Sequence, residues 1–137
     1  MEEKVIYKDE VQVTQAPTQT SEAAMDQRLH ERFRINFKAF IRLSDGSIAR
    51  AQAVDISMGG IYIEYGAPAE PGKVFDLAFD LPLVNEFKRV LVKARVVRSV
   101  VIGSRSLYGL AFVYTEFANE TDKTLEQYMK LRKSQAA

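Results

Sequence analysis

The chain has no cysteine and one histidine, His30. Disulfides and thiolate zinc sites are therefore excluded, and little scope is left for a histidine-based metal centre or a histidine-activated nucleophile. It also lacks an excess of charge: 19 basic against 18 acidic residues leave a net +1, whereas proteins that bind nucleic acid non-specifically carry a marked basic surplus. Any anion site must be local. No apolar run approaches the length of a membrane span, and Met1-Glu2-Glu3-Lys4 has neither the basic nor the apolar region of an export signal. The expectation is a cytoplasmic protein with no membrane span, and 137 residues are the size of one domain around one core.

Residues 1–26 are rich in Thr, Gln, Ser and Glu and offer only small apolar groups at Val5-Ile6-Tyr7, Val11 and Val13. That is too little for a core, so a flexible N-terminal arm, or one adding a strand to a sheet edge or partner, is expected, with the folded domain spanning 27–137. From Phe33 the pattern has period two: Phe33, Ile35, Phe37, Ala39, Ile41 and Leu43 alternate mainly with polar residues, as in a half-buried strand. An Asp45-Gly46 turn returns the chain as a second strand over about 48–56. Residues 60–65 and 73–79 read as a third and fourth strand, with Leu81-Pro82-Leu83 interrupting the fourth. The longest strand is expected over 87–101, with Lys93 and Arg95 outward and Arg98 where it leaves the core. After a turn at 103–105, residues 107–114 close the set. From Asn119, a candidate cap, the spacing of Leu125, Tyr128 and Met129 is helical. Six short strands with close turns argue for an all-β antiparallel sheet that must dispose of its edges, and periodicity leaves sandwich and barrel both open.

Two short stretches carry the chemistry. Arg28-Leu29-His30-Glu31-Arg32 is an R-x-x-x-R, and guanidinium forks grip phosphate oxygens or a guanine edge bidentately. Asp55-Ile56-Ser57-Met58-Gly59-Gly60 is a D-x-S-x-x-G: a carboxylate and a hydroxyl two residues apart, then glycines that permit a sharp turn and close approach. A guanine Watson-Crick edge supplies matching N–H donors. Each stretch has a plainer reading. The arginines can be a solvated charged linker; Asp55 and Ser57 can bond their own backbone as a turn, with Gly59 and Gly60 supplying positive φ.

Taken together and in this order, the two motifs resemble those of the PilZ domain, the bacterial receptor module for cyclic di-GMP, over about residues 28–133. The resemblance implies a six-stranded antiparallel barrel with a C-terminal α-helix. Its implied function is that of a nucleotide-binding, second-messenger effector rather than an enzyme, without a cofactor, whose ligand cyclic di-GMP contacts Arg28, Arg32, Arg34, Asp55, Ser57 and Gly60. Only Arg28 with Arg32 has the literal spacing; a shifted register pairs His30 with Arg34, and histidine is a poorer anion ligand near neutral pH. The ligand would order the arginine segment onto the barrel and so switch a protein partner in motility, pilus assembly or polysaccharide synthesis. The alternatives are an adaptor of the same fold that binds no nucleotide, and a barrel binding single-stranded nucleic acid. Near-zero charge and inward-facing aromatics disfavour the latter, so no nucleic-acid partner is expected.

Overall fold

The computed structural model describes residues 30–103 and 106–136. These form six strands, β1 (Phe33–Arg42), β2 (Ile48–Ile56), β3 (Gly60–Tyr65), β4 (Val74–Leu83), β5 (Glu86–Ile102) and β6 (Leu107–Phe117), and one helix, α1 (Asp122–Ala136). The strands pair antiparallel in the order β1-β2-β3-β6-β5-β4, and β1 pairs with β4 to close a barrel. Closure removes the long unpaired edges that an open sheet of this size would present. Of the two options that alternation left open, the barrel is the one formed.

Alternation dictates the interior. Ala39 and Ile41 of β1, Ile61 and Ile63 of β3, Leu77, Phe79 and Leu81 of β4, and Val90, Ala94 and Val96 of β5 are all buried. Removing each larger aliphatic or aromatic side chain from water is worth about 1.5–3 kcal/mol. Phe37 stacks on Phe79 at 6.1 Å between ring centroids, and Phe75 meets Phe112 edge-on at 6.2 Å. At one end of the barrel α1 sets Leu125, Tyr128 and Met129 into the core.

Two local expectations are corrected. Strand β4 runs through Pro82 rather than stopping before it. Pairing of β1 with β4 ends at Phe79, so beyond that point β4 is bonded to β5 alone, and a residue without an N–H is tolerated there. Nor does Asn119 cap the helix: its φ is +54°, and Thr121 immediately precedes Asp122. The Thr121 hydroxyl accepts from Leu91 N at 3.2 Å and has Ala118 O at 2.8 Å and Leu91 O at 3.0 Å as acceptors for its one proton, pinning the start of α1 to β5.

Four register shifts interrupt the barrel's ladders, one of them in β5–β6 between Lys93 and Ala94, and the other three bear on the outer face near the two motifs. In β1–β2 the register shifts between Arg34 and Phe37; in β2–β3 it shifts between Ala53 and Asp55; in β5–β6 it shifts between Val96 and Arg98. Each re-aims the outward side chains next to it. Among the described residues no helix is long and apolar enough to cross a membrane.

Candidate functional site

The two motifs meet at the end of the barrel that carries α1. Strand β2 ends at Ile56, whose side chain is buried, leaving Asp55 on the outer face and Ser57 at the first position of the turn into β3. Ser57 is fully buried. Its Oγ accepts from the amides of Gly59 and Gly60, each at 3.0 Å, while its own N–H donates to Gly60 O at 2.9 Å. The serine is thus the centre of the turn, and a hydroxyl so committed to backbone is poorly placed to act as a nucleophile.

Arg32, in the residues leading into β1, reaches over to the same loop. Its Nε and Nη2 donate to Asp55 Oδ1 at 2.9 and 2.5 Å, and its Nη1 donates to Ser57 Oγ at 3.3 Å. One guanidinium therefore ties the two motifs together. The pair is half-buried, with side-chain exposures of 24% for Arg32 and 29% for Asp55, so its charge-assisted bonds are screened less than those of a fully exposed pair. Both strong bonds fall on Oδ1, and Oδ2 has no hydrogen bond among the described residues.

Beneath this pair lies Tyr114 of β6, whose N–H donates to Gly59 O at 3.0 Å. Its ring packs against Phe117 at 5.1 Å, and its hydroxyl is buried without a hydrogen-bond partner among the described residues. Burial pushes this phenol well above the ordinary tyrosine range, outweighing the opposing pull of the nearby Arg32 charge.

Gly60 is required for a reason other than the expected positive φ. A β-carbon there would lie 2.1 Å from the carbonyl oxygen of Phe112 in the adjoining strand. Its role is to let β3 lie close against β6, which fixes the turn that holds Ser57. Arg34 is exposed and stands opposite Asp55 in the β1–β2 ladder. Its carbonyl accepts from Arg132 Nη2 at 2.9 Å, and the Arg132 guanidinium also lies 5.3 Å from the Phe33 ring. Of the expected ligand residues, Arg32, Asp55, Ser57 and Gly60 are thus brought together with Arg34 beside them; Arg28 lies outside the described residues.

A recess of about 260 Å³ lies between Phe40, Leu91 and Ala118, and another of about 340 Å³ at the opposite mouth is lined by Tyr65, Phe75 and Leu110. Neither includes Arg32 or Asp55.

Comparison with known proteins agrees with this architecture. Among solved structures the chain resembles the Bacillus subtilis inhibitor of motility MotI/DgrA, with a TM-score of 0.67 at 21% identity over 77% of this chain and 51% of that one. It also resembles MrkH of K. pneumonia in its apo state (TM-score 0.55, 17% identity, 91% of this chain and 56% of that one). A third is the PilZ domain of Escherichia coli YcgR with c-di-GMP (TM-score 0.51, 16% identity, 77% and 91%). At these identities the likeness is one of fold, and the chain spans little more than half the length of the MotI and MrkH chains. Among curated protein sequences none matches. The family model for the PilZ domain matches residues 26–131. That span takes in the arginine segment, the Asp55–Gly60 turn and all six strands, and the chain belongs to the PilZ domain family.

Proposed function

We propose that the protein is a cyclic di-GMP receptor that acts on a protein partner, and not an enzyme. The observation that carries the reading is the Arg32 fork on Asp55 and Ser57, which joins the two motifs at one half-buried place. Asp55 Oδ2 offers an acceptor for the N–H groups of a guanine edge. Arg32 has the geometry to turn its outer face, or its whole fork, to a phosphate or to guanine O6/N7. Arg34, and Arg28 in the segment before it, would add further cationic contacts. The Ser57–Gly60 turn then serves by holding Asp55 and the turn backbone in place.

This arrangement refines the expected switch. Arg32 is held by Asp55 and Ser57, so a ligand that takes this guanidinium must exchange with these partners. The exchange moves the residues leading into β1, and a partner that contacts this segment reads the change; the ligand must favour the exchanged state for this to work. YcgR's structure with c-di-GMP and MotI's name as an inhibitor of motility support a receptor with a motility partner; the PilZ domain of CeSA, from a cellulose synthesizing bacterium, makes polysaccharide synthesis the other candidate.

The same observation favours a second reading. Because Arg32 and Ser57 satisfy Asp55 and the turn internally, the motifs can serve structure alone, in an adaptor that binds no nucleotide. Calorimetric titration with cyclic di-GMP separates the two. The receptor reading expects binding that is lost in Arg32→Ala and Asp55→Ala and kept in Arg34→Ala, with a thermal shift in wild type by linkage. No heat and no thermal shift would leave the adaptor.

A further inference from the structure

The cross-strand register extends the candidate site well beyond its motifs. Asp55 stands opposite Arg34 on one side and Tyr62 on the other; Tyr62 stands opposite Ala111, and Ala111 opposite Arg98. Directly opposed residues share a face of the sheet. Arg34, Asp55, Tyr62, Ala111 and Arg98 therefore form one row across the outside of β1, β2, β3, β6 and β5. Two of the bulges create it. The extra residue Val54 sets Asp55 against Tyr62, and the extra residue Val97, itself buried, sets Arg98 outward three positions after outward-facing Arg95.

The middle of the row has an unusual surface. Strand side chains ordinarily stand away from the sheet. Tyr62 instead leans across β6: a β-carbon on Gly109 would lie 1.7 Å from its hydroxyl oxygen and 2.5 Å from Cζ. The ring therefore lies over the bare backbone of Gly109 and is half-buried there, with Ala111 beside it as a low floor. Arg98, beyond that floor, is exposed. At about 4.8 Å per strand, Asp55 and Arg98 are roughly 14 Å apart.

We propose that Tyr62 and Arg98 form a second subsite for a cyclic dinucleotide, Tyr62 as the surface on which a purine stacks and Arg98 as the anchor for a phosphate or for that base's edge. The proposal rests on the receptor reading of the Arg32–Asp55 cluster. Asp55 and Arg32 hold one guanine; the second base and its phosphate extend over β6, a reach that a mononucleotide held at Asp55 does not have. Aromatic faces suit any base, and an arginine beside one adds charge and a stacking plane. The proximity is felt electrostatically too: burial raises the Tyr62 phenol, the Arg98 charge pulls it down, and Glu64 and Asp55 push it up.

The test is calorimetric titration of the full chain with cyclic di-GMP and, separately, with GMP, on wild type, Tyr62→Ala, Tyr62→Phe, Arg98→Ala and Asp55→Ala, each checked for an unchanged melting profile. Tyr62→Ala and Arg98→Ala should each weaken cyclic di-GMP binding by roughly tenfold or more, Tyr62→Phe should stay near wild type, and GMP binding should ignore Arg98→Ala. If Tyr62→Ala and Arg98→Ala bind cyclic di-GMP as wild type does while Asp55→Ala does not, the second subsite is overturned and the receptor stands. Should wild type bind neither nucleotide, both fall.

Discussion

The same substitution at two glycines of the β3–β6 seam should have very unequal consequences. In Gly60→Ala the new methyl lies 2.1 Å from Phe112 O, with Phe112 C at 3.2 Å and Val113 Cα at 3.5 Å. All three are backbone atoms of a strand bonded on both sides, so no rotamer can relieve the clash. Restoring an ordinary C···O approach of about 3.3 Å needs an opening of roughly 1.2 Å between the strands. An opening of that size carries the Tyr114 N to Gly59 O bond, 3.0 Å in the native protein, out of hydrogen-bond range. Overpacking of about 1–3 kcal/mol plus one lost bond of about 1 kcal/mol gives a destabilisation of about 2–4 kcal/mol. For a domain of this size that lowers Tm by roughly 8–15 °C. Gly109→Ala meets the far end of the Tyr62 side chain, which can swing away, and should cost no more than about 1 kcal/mol. Calorimetric melting of both variants decides the matter. A Gly60→Ala protein melting within a degree or so of wild type, or a Gly109→Ala protein melting below it, would refute the assignment of Gly60 to close strand approach.

Ser57→Ala removes the acceptor for two backbone amides and for Arg32, and should cost about 1–3 kcal/mol; hydrogen exchange should show the Gly59 and Gly60 amides losing protection ahead of the rest of β3. Tyr114→Phe deletes a buried hydroxyl that has no partner among the described residues, so stability at pH 7 should hold or rise. The folded protein keeps the Tyr114 proton that the unfolded chain releases near pH 10, so this residue's contribution is intact below about pH 10 and is lost as pH rises further. Denaturant unfolding between pH 9 and 11.5 should therefore show a shallower alkaline decline in Tyr114→Phe than in wild type, and superimposable profiles would exclude this role.

Much of the barrel was legible because its strands are half-buried and alternate, from Phe33-Ile35-Phe37 through Val90-Val92-Ala94, with Asp45-Gly46 marking the first hairpin. The motif pair also pointed to one place, and Arg32, Asp55, Ser57 and Gly60 do converge there. What alternation could not carry was register. A bulge inserts one residue without altering the composition of its strand, so nothing at Val54 or Val97 announced that Asp55, Tyr62 and Arg98 would share a row. Pro82 misled for a related reason: its tolerance depends on where β1 stops pairing, a property of another strand. Asn119 had the right side chain for a cap, but it lies in a left-handed turn, and Thr121, whose hydroxyl is bonded to Leu91 of β5, is the residue that leads into the helix. The requirement for Gly60 was visible as a glycine and invisible as a reason, since the atom that excludes a methyl belongs to Phe112, fifty-two positions later in the chain.

The contact of Arg132 with Phe33 and with the carbonyl of Arg34 joins residues 98 positions apart. In kinetic terms it is among the most non-local contacts the described chain makes, and closing so long a loop comes late in folding. The start of β1, already paired with the end of β2, therefore gains this second fastening only once the last turns of α1 have formed. On a ribosome, where the chain emerges from its N-terminal end, the barrel's first hairpin can exist for seconds before that fastening is available. The last turns of α1 thus act as a late fastening on a hairpin that already holds Arg32 beside Asp55, added only after the chain between them has been made.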